Sequence, residues 1–204
     1  MRRFLILVLL LVPLFCFAAP AAKTGTVLVL GDSLSAAHGI AADAGWVTLL
    51  QQRLARQTPT RAVVNASISG ETSAGGLARL PRLLAEHKPA LVLLELGAND
   101  GLRGLPLSEL RANLVQLLQH VRAAKAQAVL LGIELPVNYG PQYRDGLRQL
   151  YRDVAVEFNV PLVPFLLEGV ALDPNLMQDD GLHPTAAAQP KLLETVWTVL
   201  AAQL

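Results

Sequence analysis

Five short apolar runs punctuate the chain: 26–31 (TVLVLG), 61–66 (RAVVNA), 91–96 (LVLLEL), 128–133 (AVLLGI) and 160–163 (VPLV). Within each run, apolar residues follow one another rather than alternating with polar ones. That is the pattern of strands buried on both faces in a parallel sheet. The segments between them have helical period. The clearest is 107–124, where Leu110, Leu114, Leu117, Leu118 and Val121 form one stripe and Arg111, Gln116, Gln119 and Arg122 fall opposite. Comparable segments lie at 45–56, 74–86, 142–157 and 186–202. Pro190 belongs in the first turn of the last one, where a missing N–H does least harm. Strand and helix alternate five times. This predicts one α/β domain: a parallel five-stranded sheet between helix layers, with a flavodoxin-like strand order.

The first 22 residues follow a different logic. Arg2 and Arg3 precede an apolar stretch from Phe4 to Phe17, and the small residues Ala18, Ala19, Ala21 and Ala22 follow. This is the layout of a secretory signal peptide, shorter than the about 20 apolar residues a membrane span needs. Cleavage is expected between 18 and 22, leaving 23–204 as a periplasmic or secreted domain. Cys16 is the only cysteine. Phe15 stands before it, where a lipoprotein would carry a small residue. The mature domain therefore needs no disulfide and has no cysteine nucleophile or thiolate metal site. Losing Arg2 and Arg3 takes the formal charge from +1 to −1. No basic stripe survives, so nucleic acid is not an expected partner.

In open α/β sheets, ligands bind at the carboxyl ends of the strands. The residues after each run are therefore the ones to inspect. They are Gly31-Asp32-Ser33, then 65–73 (NASISGETS), 96–101 (LGANDG), 134–140 (ELPVNYG) and 177–184 (MQDDGLHP). The fold thus brings Ser33, Gly70, Asn99, Asp180 and His183 to one edge. A serine hydroxyl becomes a useful nucleophile when a base takes its proton, and histidine does this near neutral pH. A carboxylate on the other ring nitrogen fixes the tautomer. Asp180 and His183 are three residues apart, a spacing at which a tight loop lets one reach the other. The Ser33 N–H, the Gly70 N–H and the Asn99 amide are candidate donors to an oxyanion. Ile68, Leu102, Leu135 and Tyr139, from the same loops, are candidates to line an acyl-chain groove.

Four blocks, Gly31-Asp32-Ser33-Leu34, Gly70, Gly97-Ala98-Asn99-Asp100 and Asp180-Gly181-Leu182-His183, occur in this order over nearly the whole mature chain. In this the sequence resembles the SGNH hydrolases, or GDSL family of esterases and lipases. The resemblance implies a three-layer flavodoxin-like fold and cleavage of acyl esters and thioesters, with lysophospholipid, acyl-CoA and aryl esters as substrate classes. It implies Ser33 as nucleophile, His183 as base and Asp180 as the third triad member. Ser33, Gly70 and Asn99 would form the oxyanion hole. It implies no metal or organic cofactor. Within the third block Ala98 is a point of variation, and its β-carbon restricts the backbone beside Asn99. We expect a monomer that touches membrane lipid only transiently.

Other readings stand beside this one. Asp32, Asn99, Asp100, Asp180 and His183 are metal-capable, which allows a metal-dependent phosphoesterase. A non-enzymatic exported binding module would leave the convergent Ser-Asp-His set without a role. His38 is an alternative base, being close to Ser33 in sequence. Ser33 alone could be a turn serine. Asp32 is expected to accept local N–H bonds and shape the turn, and Asp179 to be exposed. His120 is expected on a solvated helix face, His87 at a helix end, and Glu95 and Glu134 as paired or solvent-facing structural acids.

Overall fold

Each apolar run becomes a strand, but the expected burial on both faces is complete only in the first and third; the second, at the sheet edge, is partly buried and ends on exposed Asn65. The strands are β1 (Val27–Gly31), β2 (Val63–Asn65), β3 (Leu91–Glu95), β4 (Gln127–Leu131) and β5 (Leu162–Val163). All pairings are parallel, in the order β2-β1-β3-β4-β5, which is the predicted flavodoxin-like order. Every residue of β1 and β3 is buried, as two-sided burial requires. The register sets Val27 opposite both Val63 and Leu91, and Gly31 opposite Glu95. This computed structural model describes residues 25–57 and 61–204. The expected signal peptide lies outside the described residues.

Six α-helices are found among the described residues. α1 (Trp46–Gln57), α2 (Ser73–His87), α4 (Leu107–Ala123), α5 (Pro141–Phe158) and α6 (Gln189–Leu200) match the five periodic segments, and α3 (Ala98–Leu102) is a short addition. The chain moves from β1 to β2 towards one edge and from β3 through β5 towards the other. Right-handed crossovers therefore place α1 on one face and α4 and α5 on the other. α6 packs with α1, and α2 packs with α4. Gln189, buried at the start of α6, accepts the Trp46 N–H at 3.0 Å and joins that layer. The stripe predicted on α4 is the buried one: Leu110, Leu114, Leu117, Leu118 and Val121.

The last helix is shorter than its apolar period suggests. Residues 186–188 and 201–203 are tight 3₁₀ turns on either side of it, and Pro190 sits in its first turn as expected. No helix among the described residues is long and apolar enough to cross a membrane.

Candidate active site

The site begins where β1 stops. Gly31 is glycine because two side chains crowd it: a β-carbon there would lie 2.6 Å from Glu95 Oε2 and 2.9 Å from Ser35 Oγ. Asp32 follows, fully buried. Its Oδ1 accepts the Leu34 N–H at 3.0 Å, and its carbonyl accepts the Ala36 N–H at 2.9 Å. Asp32 therefore shapes the turn as predicted, and Ser33 projects from it into the edge cleft.

The second part is the loop before α6. An antiparallel bridge between Met177 and Pro184 closes its base, and the Gln178 N–H donates to the His183 carbonyl at 2.8 Å. Gln178 Nε2 also donates to the carbonyls of His38 (2.9 Å) and Pro184 (3.0 Å), fastening the loop to the turn after β1. Inside the loop, Asp180 Oδ1 accepts the N–H groups of Leu182 (2.9 Å) and His183 (3.0 Å). Asp180 Oδ2 lies 2.6 Å from His183 Nδ1, and His183 Nε2 lies 2.9 Å from Ser33 Oγ. Burial acts to raise the Asp180 pKa. It is outweighed by hydrogen bonds from the His183 ring and the His183 and Leu182 N–H groups, together with the His183 charge, and the carboxyl sits at about 2. An ionised Asp180 holds the proton on Nδ1 and leaves Nε2 as the acceptor facing Ser33.

The third part comes from β2 and β3. Asn99 lies in α3, and its Nδ2 donates to Asp32 Oδ2 (3.0 Å) and to the Glu71 carbonyl (2.9 Å). Both amide hydrogens are thus already engaged. Gly70 has a φ of +81° and open space where a β-carbon would stand, so its backbone faces the cleft unshielded. Among the described residues, neither the Ser33 N–H nor the Gly70 N–H has an acceptor. Arg103 Nη2 donates to the Gly70 carbonyl at 3.0 Å, tying that loop to α3. Buried Asp100 accepts both the N–H and the hydroxyl of Ser73, at the start of α2, which anchors α3 from below. Ala98 is the first residue of α3.

A cleft of about 300 Å³ joins these parts. Ser33, Gly70, Asn99 and His183 line it, and so do the expected Leu102 and Leu135. Ile68 and Tyr139 do not. Ile68 is half exposed, its N–H bonded to the Gly31 carbonyl, while Tyr139 stands one residue removed, its hydroxyl donating to the Leu102 carbonyl. The apolar lining comes instead from Leu34, Ile133, Phe165, Leu167 and Leu182. Leu34 and Leu182 belong to the motif blocks and Ile133 to the fourth apolar run, but none of the five was singled out as cleft lining from the sequence. His38 also borders the cleft, its ring centroid 4.3 Å from that of His183; His183, not His38, lies on Ser33.

Several quieter expectations hold. Asp179 and His120 are exposed, and His87 is in the last turn of α2. Glu134 is paired, with both carboxylate oxygens on Arg148 at 2.7 Å. Glu95 is different: it is neither solvent-facing nor ion-paired, but wholly buried beneath the turn after β1. The parallel register brings it there by setting it against Gly31. Asp32, Asn99, Asp180 and His183 are committed to one another by hydrogen bonds. Among the described residues, no three His, Cys, Asp or Glu side chains gather as a metal site requires.

Comparison with known proteins agrees with this geometry. Residues 29–189 match the GDSL-like Lipase/Acylhydrolase family. The chain is 56% identical over 179 residues to Esterase TesA of Pseudomonas aeruginosa, covering 88% of this chain and 89% of that one. It is 51% identical over 170 residues to Thioesterase 1/protease 1/lysophospholipase L1 of Escherichia coli, covering 83% and 80% respectively. A crystal structure of TesA superimposes with a TM-score of 0.86 at 56% identity, covering 88% of this chain and 99% of that one. With the family's motif blocks meeting at one sheet edge, the chain belongs to the GDSL-like lipase/acylhydrolase family and is an ester hydrolase.

Proposed function

We propose that the enzyme works through an acyl-enzyme on Ser33, with His183 as general base and Asp180 as its orienting carboxylate. One observation carries this: the unbroken chain from Ser33 Oγ to His183 (2.9 Å) and from His183 to Asp180 (2.6 Å). Ser33 Oγ attacks the substrate carbonyl carbon while Nε2 takes its proton. The resulting oxyanion is met by the N–H groups of Ser33 and Gly70, which have no other acceptor among the described residues, and by Asn99 Nδ2. Asn99 takes part by sharing a hydrogen now directed at Asp32 or the Glu71 carbonyl. The imidazolium then protonates the departing oxygen or sulfur. Water, activated by the same histidine, releases the acid and restores Ser33.

The apolar cleft wall suits an acyl chain, so the substrates we propose are acyl esters and thioesters: lysophospholipid, acyl-CoA and aryl esters. The names of the two relatives, an esterase and a thioesterase 1/protease 1/lysophospholipase L1, support the ester, thioester and lysophospholipid parts of this range. Export through the segment 1–22, as proposed from Arg2, Arg3 and the apolar run behind them, would make lysophospholipid or another envelope ester more pertinent than acyl-CoA. In that setting the enzyme is a monomer meeting membrane lipid only to collect substrate. Sequencing the amino terminus of the exported protein tests the segment; a first residue other than 19 to 23 would refute it.

The direct test is turnover of p-nitrophenyl acyl esters in EDTA, with Ser33→Ala alongside. Wild type should be active, and the variant should lose on the order of 10⁶ in kcat, as loss of a triad nucleophile does. Equal rates for the two, or abolition of wild-type activity by EDTA, would overturn the assignment.

A further inference from the structure

Glu95 ends β3 directly beneath the turn that carries Ser33, and the triad makes no use of it. It is completely buried. Its Oε2 accepts the Asp32 N–H at 3.1 Å and the Ser35 hydroxyl at 2.7 Å. Its Oε1 is also buried, and no N–H or hydroxyl reaches it. The carboxyl of Asp32, the residue that follows Gly31, against which Glu95 is paired, is also fully buried. Two carboxylates have no donor to place between them, so a bond from Oε1 to Asp32 would need one proton. Asp32 in turn receives one of the two amide hydrogens of Asn99, at 3.0 Å.

We infer that Glu95 is a positioning residue that acts as a neutral carboxylic acid: its proton bridges to Asp32, and Asp32 thereby holds the Asn99 amide beside Ser33. The proton belongs on Oε1, because Oε2 already accepts two hydrogen bonds and Oε1 otherwise has no partner. The charge belongs on Asp32, which also accepts from Leu34 and Asn99. Burial, and next the charge of Asp32, push the Glu95 carboxyl well above its ordinary range. Burial pushes Asp32 up to about 6, opposed by the Leu34 N–H, the Glu95 bond, the His183 charge and Asn99. The other ionisable groups around the pair are Tyr151, whose hydroxyl donates to the Leu96 carbonyl, and Asp100 beyond it. Neither supplies a cation. A doubly ionised pair would therefore be two buried like charges with only the His183 ring, on the Asp32 side, to offset them, which is strongly unfavourable.

The kinetic consequence rests on the proposed role of Asn99 in the oxyanion hole; the protonation state does not. Infrared difference spectroscopy of wild type against Glu95→Gln at pH 7 reads the proton directly. A protonated-carboxyl C=O band present in wild type and missing from the variant is expected. No such band would overturn the inference whatever the enzyme's activity. Steady-state kinetics reads the positioning. Glu95→Gln keeps an N–H donor towards Asp32 and should retain kcat, with some loss of thermal stability because its second N–H finds no acceptor. Glu95→Ala, if folded by circular dichroism, should lose about 10² in kcat with KM little changed, the scale of a misplaced catalytic group. A Gln variant as slow as Ser33→Ala, or an Ala variant with wild-type kcat, would overturn it. Should Ser33→Ala itself prove active, the proposed mechanism falls, and the infrared result still decides the protonation of Glu95.

Discussion

Two sets of carboxyl groups sit within reach of Ser33, and the protein treats them oppositely. Asp180 lies in a loop with its side chain 42% exposed and takes three hydrogen bonds, two from backbone N–H groups and one from the His183 ring. It is held ionised, at about 2. Glu95 and Asp32 lie at the ends of the two central strands, both fully buried, and must share a proton to coexist. Donors and water make the first a permanent charge; burial and mutual repulsion make the second a pair that keeps a proton. In the proposed mechanism one orients the base, and the other props the floor under the nucleophile.

The largest effect that sharpens this contrast is at Asp180. Asp180→Asn keeps the shape but offers His183 Nδ1 an amide, which favours the wrong tautomer. Loss of about 10⁴ in kcat is expected from steady-state assays, with the fold unchanged. A loss under tenfold would mean the ionised carboxylate is not what orients His183. Asn99→Ala comes next. Removing one oxyanion donor should cost about 10² to 10³ in kcat and leave KM near its starting value. A change confined to KM would place Asn99 in substrate binding and sever the link from Glu95 through Asp32 to the reaction.

These two sets also differ in how readily a sequence shows them. Asp180 and His183 form a unit of four residues, bonded within itself; the spacing allowed that contact, and the resemblance to the SGNH hydrolases singled the two out. Ser33, Gly70 and Asn99 come after apolar runs, whose parallel strands bring them to one edge, and the family's motif blocks picked them out from the other residues there. The order of the sheet followed from the crossovers. Glu95 was not legible. Its place depends on β1 and β3 pairing Gly31 with Glu95, and register is not written in either run alone. The cleft wall was half legible for a related reason. Leu102 and Leu135 come shortly after the third and fourth apolar runs and were found; Ile133, Phe165 and Leu167 come from segments whose apolar character says core and does not say which part of the core is left uncovered. Ile68 has the right loop but stays half exposed outside the cleft.

The two sets should pull stability in opposite directions with pH, which urea unfolding across a pH series can read. Asp180 titrates lower in the folded state, at about 2, than an unfolded aspartate at about 4. Its contribution is present above that unfolded value and is lost as pH falls towards 2. Asp32 and Glu95 are raised. Between about 4, where such carboxyls titrate unfolded, and the folded value of about 6 for Asp32, the native state binds more protons. Stability therefore falls as pH rises through that window. Asp180→Asn should flatten the acid side of the curve, and Glu95→Gln should flatten the decline above it. If Glu95→Gln left that decline unchanged, the raised pair would not be its source.

The smallest expected effect is at His38, and it asks whether the triad has one histidine or two. The His38 ring packs against that of His183 at 4.3 Å, tilted by 40°, and its Nδ1 lies 3.4 Å from Ser69 Oγ. It is exposed, and His183 already occupies the position on Ser33. A contact between two rings contributes about 0.5–1.5 kcal/mol, and an exposed one falls at the lower end. His38→Ala should therefore reduce kcat/KM by about two- to threefold, because the His183 ring loses one wall, on that same scale of ring packing. His38→Phe restores the wall without a titratable nitrogen and should return the rate to that of wild type. A phenylalanine variant as impaired as Asp180→Asn would instead mean that His38 moves a proton. Recovery by phenylalanine shows that packing is all this second ring supplies, and leaves the contrast between the exposed charged loop and the buried protonated floor intact.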